Sequence, residues 1–208
     1  MRGSRAWVSA SRGTSLLVAD TQQKGPSAAE IRKLVERGQQ GERAALEELY
    51  LIHFDRIYSY LHMTVSNRHD AEDLTTQTFL KMLESIGRFR WLAAPFSAWL
   101  FRIALNLAMD HFRARRRWQR EEEVPEAPGS EEPSAELEAM QSIGRESMLE
   151  LIEKLSPEQQ QVLTLKFVFN FPNADVATIL DKTEGATKSL QHRALVSLQK
   201  QISSTAEP

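Results

Sequence analysis

Cysteine is absent from this 208-residue chain, which excludes disulfides and thiolate metal sites and fits a reducing compartment. No apolar run approaches the roughly 20 residues that a membrane span requires, so no membrane insertion is expected. The patch Ser15-Leu16-Leu17-Val18-Ala19 is too brief to be a secretory signal, and the chain reads as cytoplasmic. Glycine is scarce, at 9 residues, and is nowhere arranged as a phosphate-cradling loop. No serine or cysteine nucleophile motif occurs either. His53, His62, His69, His111 and His192 show no ligand pairing at helical spacing. Asp70, Glu72 and Asp73 are acids in the first turn of a helix, where the macrodipole welcomes them without a cation. We therefore expect no catalytic site, no metal and no cofactor.

What is present is segregated charge. The net charge is only -2, yet Arg88 to Arg120 holds eight arginines against the single acid Asp110, and Glu121 to Glu138 holds eight glutamates and no base. Local potential, not the total, governs attraction to nucleic acid. A basic segment beside an acidic one is thus more informative than the average.

Helical periodicity runs through the chain with no alternating strand pattern, which predicts an all-α protein of two small helical domains. Residues 1–26 lack periodicity and read as a flexible arm. Ser27 with Glu30 forms a capping box for a first helix. A second helix is expected from about Glu42 to Thr64, with Leu46, Leu49, Tyr50, Phe54, Ile57, Tyr58 and Leu61 as its core. A third spans Asp70 to Ile86, with Ala71, Leu74, Thr75, Thr78, Phe79, Met82, Leu83 and Ile86 inward. Asp73, Gln77, Leu80, Lys81 and Glu84 then face outward, so Leu80 is an apolar residue among polar ones. It reads either as an ordinary exposed leucine or as the centre of a protein-binding patch.

Gly87 to Ser97 interrupts the pattern and crowds Phe89, Trp91 and Phe96 among Arg88 and Arg90. These rings either tuck into the bundle or offer a pocket to an unstacked base. Trp99 to Trp118 is a helix with a wide apolar arc and a narrow stripe of Trp99, Arg102, Asn106, Asp110, Arg113 and Arg117. Such a stripe suits a nucleic-acid strand, since guanidinium groups pair with phosphates, an amide reads a base edge and an indole stacks. The plainer alternative is a solvated arginine edge.

The acidic stretch 121–136 marks a flexible linker, and its proline-bearing part from Glu121 to about Pro133 could extend over roughly 40 Å. A second domain, 137–202, follows, with residues 203–208 as a tail. Ser156-Pro157-Glu158-Gln159 is a helix start. Asn173 to Leu180, a turn, and a longer helix from Glu184 have helix-turn-helix proportions. On the last helix Ala186, Leu190, Ala194 and Leu198 are expected inward. Lys188, Ser189, His192 and Gln199 lie outward with Arg193 on the flank, as a major-groove reader requires.

Three blocks in order carry a resemblance. They are Asp70-Ala71-Glu72-Asp73-Leu74 with Gln77 and Phe79, the run Phe96 to Ala104 with Asn106, and Glu184-Gly185-Ala186 with Lys188, Ser189, His192, Arg193 and Ala194. Together they resemble the bacterial sigma factors of the extracytoplasmic-function group, over about Ala28 to Ile202. The resemblance implies a non-enzymatic transcription initiation factor that binds core RNA polymerase, recognises promoter DNA and helps to melt it. Carried over by position, Asp73, Gln77 and Leu80 would dock on the polymerase. Arg88, Phe89, Arg90, Trp91, Trp99, Arg102, Asn106, Arg113 and Arg117 would capture the single-stranded -10 element, and Lys188, Ser189, His192 and Arg193 would read the duplex -35 element. The resemblance also implies an inhibitory anti-sigma partner. Asn173-Ala174-Asp175-Val176 and Thr187 depart from the family's usual residues. A different class, the stand-alone helix-turn-helix regulator of duplex operators, remains the alternative.

Overall fold

The computed structural model describes residues 26–65, 67–91, 94–121, 152 and 154–205. The arm before residue 26, the linker after Glu121 and most of the periodic stretch that follows it fall outside these residues. Among the described residues every regular element is helical.

Helix α1 (Ala28–Gln39) opens as its sequence dictates: Ser27 and Glu30 cap each other, with Ser27 N donating to Glu30 Oε2 at 2.7 Å. Its end is set by Gly41 at φ 83°, where Gly41 N reaches Gly38 O and Glu42 N reaches Arg37 O, at 3.0 and 3.1 Å. This paired closure needs a left-handed residue, and glycine supplies it without a Cβ clash.

Helix α2 (Arg43–Val65) packs against both α1 and α3 (Arg68–Ser85), and a 3-10 turn (Ile86–Arg88) follows α3. Asn67 caps α3 by accepting from Asp70 N at 3.0 Å. Thr75 and Thr78 can be buried because each hydroxyl donates to the carbonyl four residues back. Helix α4 (Phe96–Glu121) begins three residues before the indole that was expected to open it. Its apolar arc is the centre of the fold, with Phe96, Leu100, Phe101, Ala104 and Ala108 fully buried. Each large side chain of this set contributes roughly 1.5–3 kcal/mol by leaving water.

The C-terminal half starts at α5 (Pro157–Leu163), capped by Ser156 and Gln159. The helix then widens into a π turn, Thr164–Val168, and stops at Asn170, which has φ 56°. Short α6 (Asn173–Ile179) and long α7 (Glu184–Thr205) complete a helix-turn-helix. The π turn and left-handed Asn170 swing Phe169 and Phe171 onto the N-terminal half. There they meet Tyr60 and Phe101 with ring centroids 4.8–5.7 Å apart. The two halves thus share one continuous core, with Tyr60 and Phe101 at 0% exposure.

Three expectations about faces are corrected. Leu83 is 47% exposed, because it lies at the edge of the α3 arc beside Leu80, itself 53% exposed. Tyr50 is 39% exposed, lying edge-on to Phe79 at the border of the core. On α7 it is Thr187, at 1% exposure, that points inward, while Ala186 is exposed. Burial of Thr187 is tolerated because its hydroxyl donates to Thr183 O at 3.0 Å.

Candidate nucleic-acid interface

Three surfaces carry the residues singled out by sequence. The outer face of α3 presents Asp73, Gln77 and Leu80, all exposed. Lys81 and Glu84 pair beside them at 2.9 Å, so the leucines sit in a rim of satisfied charge. An apolar centre with a polar rim is the composition of a protein contact.

The second surface is the loop before α4 and the polar stripe of α4. Gln39 on α1 anchors the loop by donating from Nε2 to the Ile86 and Phe89 carbonyls, both at 2.9 Å. Arg88 and Arg90 are exposed. Phe89 is only 6% exposed, enclosed by Trp91, Phe96 and Trp99 with centroids 5.0–5.5 Å away. For Phe89 this burial is the first of the two readings of the loop, a ring tucked into the bundle, so the direct strand contact that the resemblance implied for it is corrected to a supporting place. Trp91 and Trp99 are half-buried. The Trp91 Nε1 is buried without a hydrogen-bond partner, and Arg32 of α1 stands over that ring at 5.3 Å. Arg32 was missed in the sequence because it lies some sixty positions upstream, with no local signal tying it to the loop.

Along α4 the stripe is as the helical period demands: Asn106, Arg113 and Arg117 are exposed and Arg102 is half-buried. Arg113 Nη1 pairs with Asp110 Oδ1 at 2.6 Å, both well exposed, a contact that a phosphate could displace at little cost. Arg102 is held differently. Its Nη2 lies 2.8 Å from Oδ1 of Asp181, in the turn between α6 and α7. Between stripe and turn lies a cleft of about 400 Å³ bordered by Asn106, Asp110, Arg113, Asp181 and Lys182.

The third surface is the exposed side of α7, where Lys188, Ser189, His192 and Arg193 all face solvent in its first turns. Only the first turns of such a helix reach base edges in a major groove. The structure therefore brings the loop and stripe together as one surface, places the α7 set on another, and leaves the α3 set apart from both.

Comparison with known proteins distinguishes two segments of the chain. Residues 49–118 match the family model described as sigma-70 region 2, and residues 145–198 match that of sigma-70, region 4. The first takes in α2, α3, the loop and most of α4, and the second takes in the helix-turn-helix. The chain is 38% identical over 172 residues to the sigma factor BldN of Streptomyces coelicolor, covering 82% of this chain and 65% of that protein. It is 26% identical to the sigma factor SigW of Bacillus subtilis, covering 83% of this chain and 96% of that one. The solved structure of CnrH in complex with the cytosolic domain of CnrY superposes with TM-score 0.64 at 21% identity, over 86% of this chain and 99% of CnrH, a likeness of fold. A helical protein with a region 2 bundle followed by a region 4 helix-turn-helix is a sigma factor of the sigma-70 class. Within that class the chain belongs to the extracytoplasmic-function group.

Proposed function

We propose that this protein is a transcription initiation factor: it binds core RNA polymerase, recognises the -35 element as duplex and the -10 element as melted strand, and promotes opening of the DNA. The observation that carries the reading is the order and exposure of three chemically distinct surfaces on a fold of this family. Asp73, Gln77 and Leu80, extended by Leu83, take the polymerase. Arg88, Arg90, Trp91, Trp99, Arg102, Asn106, Arg113 and Arg117 take the single strand, with phosphates on the guanidinium groups, bases against the indoles and a base edge at the Asn106 amide. Phe89 supports the indoles from beneath. Lys188, Ser189, His192 and Arg193 take the major groove.

Two readers joined in one chain span two separated elements by effective concentration. The units we assign are 27–120 and 137–202, with 121–136 as the acidic tether between them. The protein works by binding, with no catalytic group of its own, in the cytoplasm, under the control of an anti-sigma protein. None of its described helices is long and apolar enough to cross a membrane.

Run-off transcription with core polymerase on genomic fragments tests the reading. We expect discrete transcripts that depend on the added chain. Tight, specific duplex binding by the chain alone at physiological salt, with no transcription, would instead identify a stand-alone regulator.

A further inference from the structure

Among the described residues the glycines are Gly38, Gly41, Gly87 and Gly185, and all but the last have a local reason to be glycine. Gly38 is buried against α2, where an added Cβ would come within 2.9 Å of Leu46 Cδ2. Gly41 holds the left-handed closure of α1 at φ 83°. Gly87 is open but sits in the 3-10 turn that leads into the loop, a place where irregular backbone commonly takes glycine. Gly185 is the second residue of α7, inside a regular helix, at a backbone angle that any residue adopts. A Cβ built there meets nothing within 4 Å. The helix does not need it to start, because Thr183 caps α7: its hydroxyl accepts from Ala186 N at 3.2 Å and its carbonyl from Thr187 N at 2.9 Å. Glycine inside a helix costs stability against alanine, and nothing within the chain offsets that loss.

What surrounds Gly185 on the outside is the duplex-reading set. It is exposed, with Ser189 one turn on and His192 two turns on along the same face of α7. Ser189 carries the shortest side chain of the set Lys188, Ser189, His192 and Arg193. Its hydroxyl therefore reaches a base edge only where the helix backbone itself lies close to the bases. Gly185 stands on the same line and nearer the tip that enters the groove, so a side chain there would hold the backbone off. Close approach of backbone to a ligand is one of the few demands that glycine alone meets.

We propose that Gly185 is a positioning residue for recognition of the -35 duplex: its missing side chain sets the depth at which α7 seats in the major groove and so brings the Ser189 hydroxyl to a base edge. The inference rests on the initiation-factor reading, because that reading makes α7 the duplex reader. Gly185 reads no base through a side chain; it acts through the residues that follow it on the same face.

The test compares Gly185→Ala and Gly185→Leu with the native chain, each as the full chain, in run-off transcription with core polymerase. Two templates are used: a duplex genomic fragment that the native chain transcribes, and the same fragment premelted over the -10 region and cut back to remove the -35 duplex. Both variants put better helix formers into open space, so each should melt about 2 °C above the native chain. On the duplex fragment Gly185→Ala should lose about tenfold in transcript, the size of one disturbed base contact, and Gly185→Leu should lose more. On the premelted template both should match the native chain, which separates lost duplex reading from damage to polymerase docking or strand capture. Native activity of Gly185→Ala on the duplex overturns the proposal, and so does an equal loss on the premelted template. Equal losses in the two variants also overturn it, since stiffening of the helix start would then be the cause and not steric distance. A lowered melting temperature would return the glycine to the needs of the fold and overturn it as well. If the native chain gives no transcript from any fragment, the initiation reading fails; if it transcribes while Gly185→Ala is unimpaired, only the seating role is lost.

Discussion

His53 shows how much one buried side chain couples this fold to pH. The ring is 5% exposed, its Nε2 has no partner, and it sits 5.4 Å from the Phe96 ring. Burial, aided by the nearby charge of Arg56, depresses its pKa from the usual 6.5 to about 4. Between those two values the unfolded chain takes up a proton that the folded chain refuses, so stability falls as pH drops through the window and levels off below about 4. From this group alone, unfolding should be easier at pH 5 than at pH 7 by roughly 2 kcal/mol. Urea titrations at the two pH values check it, and His53→Leu should flatten that part of the difference. The polymerase face is argued at the same scale. Leu80→Asp places a carboxylate at the centre of a dry contact and should abolish co-purification with core polymerase while leaving the melting temperature within a degree or two. Leu80 was legible from the helical wheel because three of its four neighbours at helical spacing, Thr76, Gln77 and Glu84, are polar. Leu83 and Ala186 were not, because each lies at the border of its arc, where a rotation of one residue exchanges inside for outside.

At the scale of elements, termini were read from chemistry that is local and strong. The Ser27 and Ser156 caps and the turn before Glu184 needed only the few residues that form them. The π turn at Thr164–Val168 carries no glycine, proline or periodicity break. What selects it is the fit of Phe169 and Phe171 against rings more than a hundred residues upstream for Tyr60 and about seventy for Phe101. The loop before α4 was half legible for the same reason, since composition announced aromatics and arginines but not which ring would face in. Its structure separates two variants that the sequence treats alike. Asn106 is exposed and packs on little, so Asn106→Ala should slow promoter opening, measured by permanganate reactivity of melted thymines, without altering stability. Trp99 lies 5.0 Å from the Phe89 ring and 5.3 Å from the Phe96 ring. Trp99→Ala should therefore slow opening and also lower unfolding stability by about 2 kcal/mol. Recruitment to duplex promoter, read by footprinting of the -35 region, should be nearly native in both.

For the molecule as a whole, the sequence pointed to two separate units, and nothing in either pattern announced that they would meet. Composition marks boundaries; it does not reveal that Phe101, on the apolar arc of α4, is completed by rings from the other half. The energetics of that meeting are unequal. Arg102 and Asp181 are 39% and 77% exposed, so their pairing is screened by salt and contributes little to closure. Phe171, 4% exposed, is packed edge-on to Phe101 at 4.8 Å and does not weaken with salt. Closure is intramolecular, so even a weak contact acts at a millimolar effective concentration. Phe171→Ala should accordingly increase the radius of gyration measured by small-angle X-ray scattering at both low and high salt. Arg102→Ala should leave it unchanged at 0.5 M salt, where its partner is already screened. An unchanged radius in Phe171→Ala would mean that the aromatic cluster does not hold the halves together. The polar contacts, Arg102 with Asp181 and Arg56 with the Phe169 carbonyl, would then have to do so, and expansion of the native chain on adding salt would show the share of the charge pair.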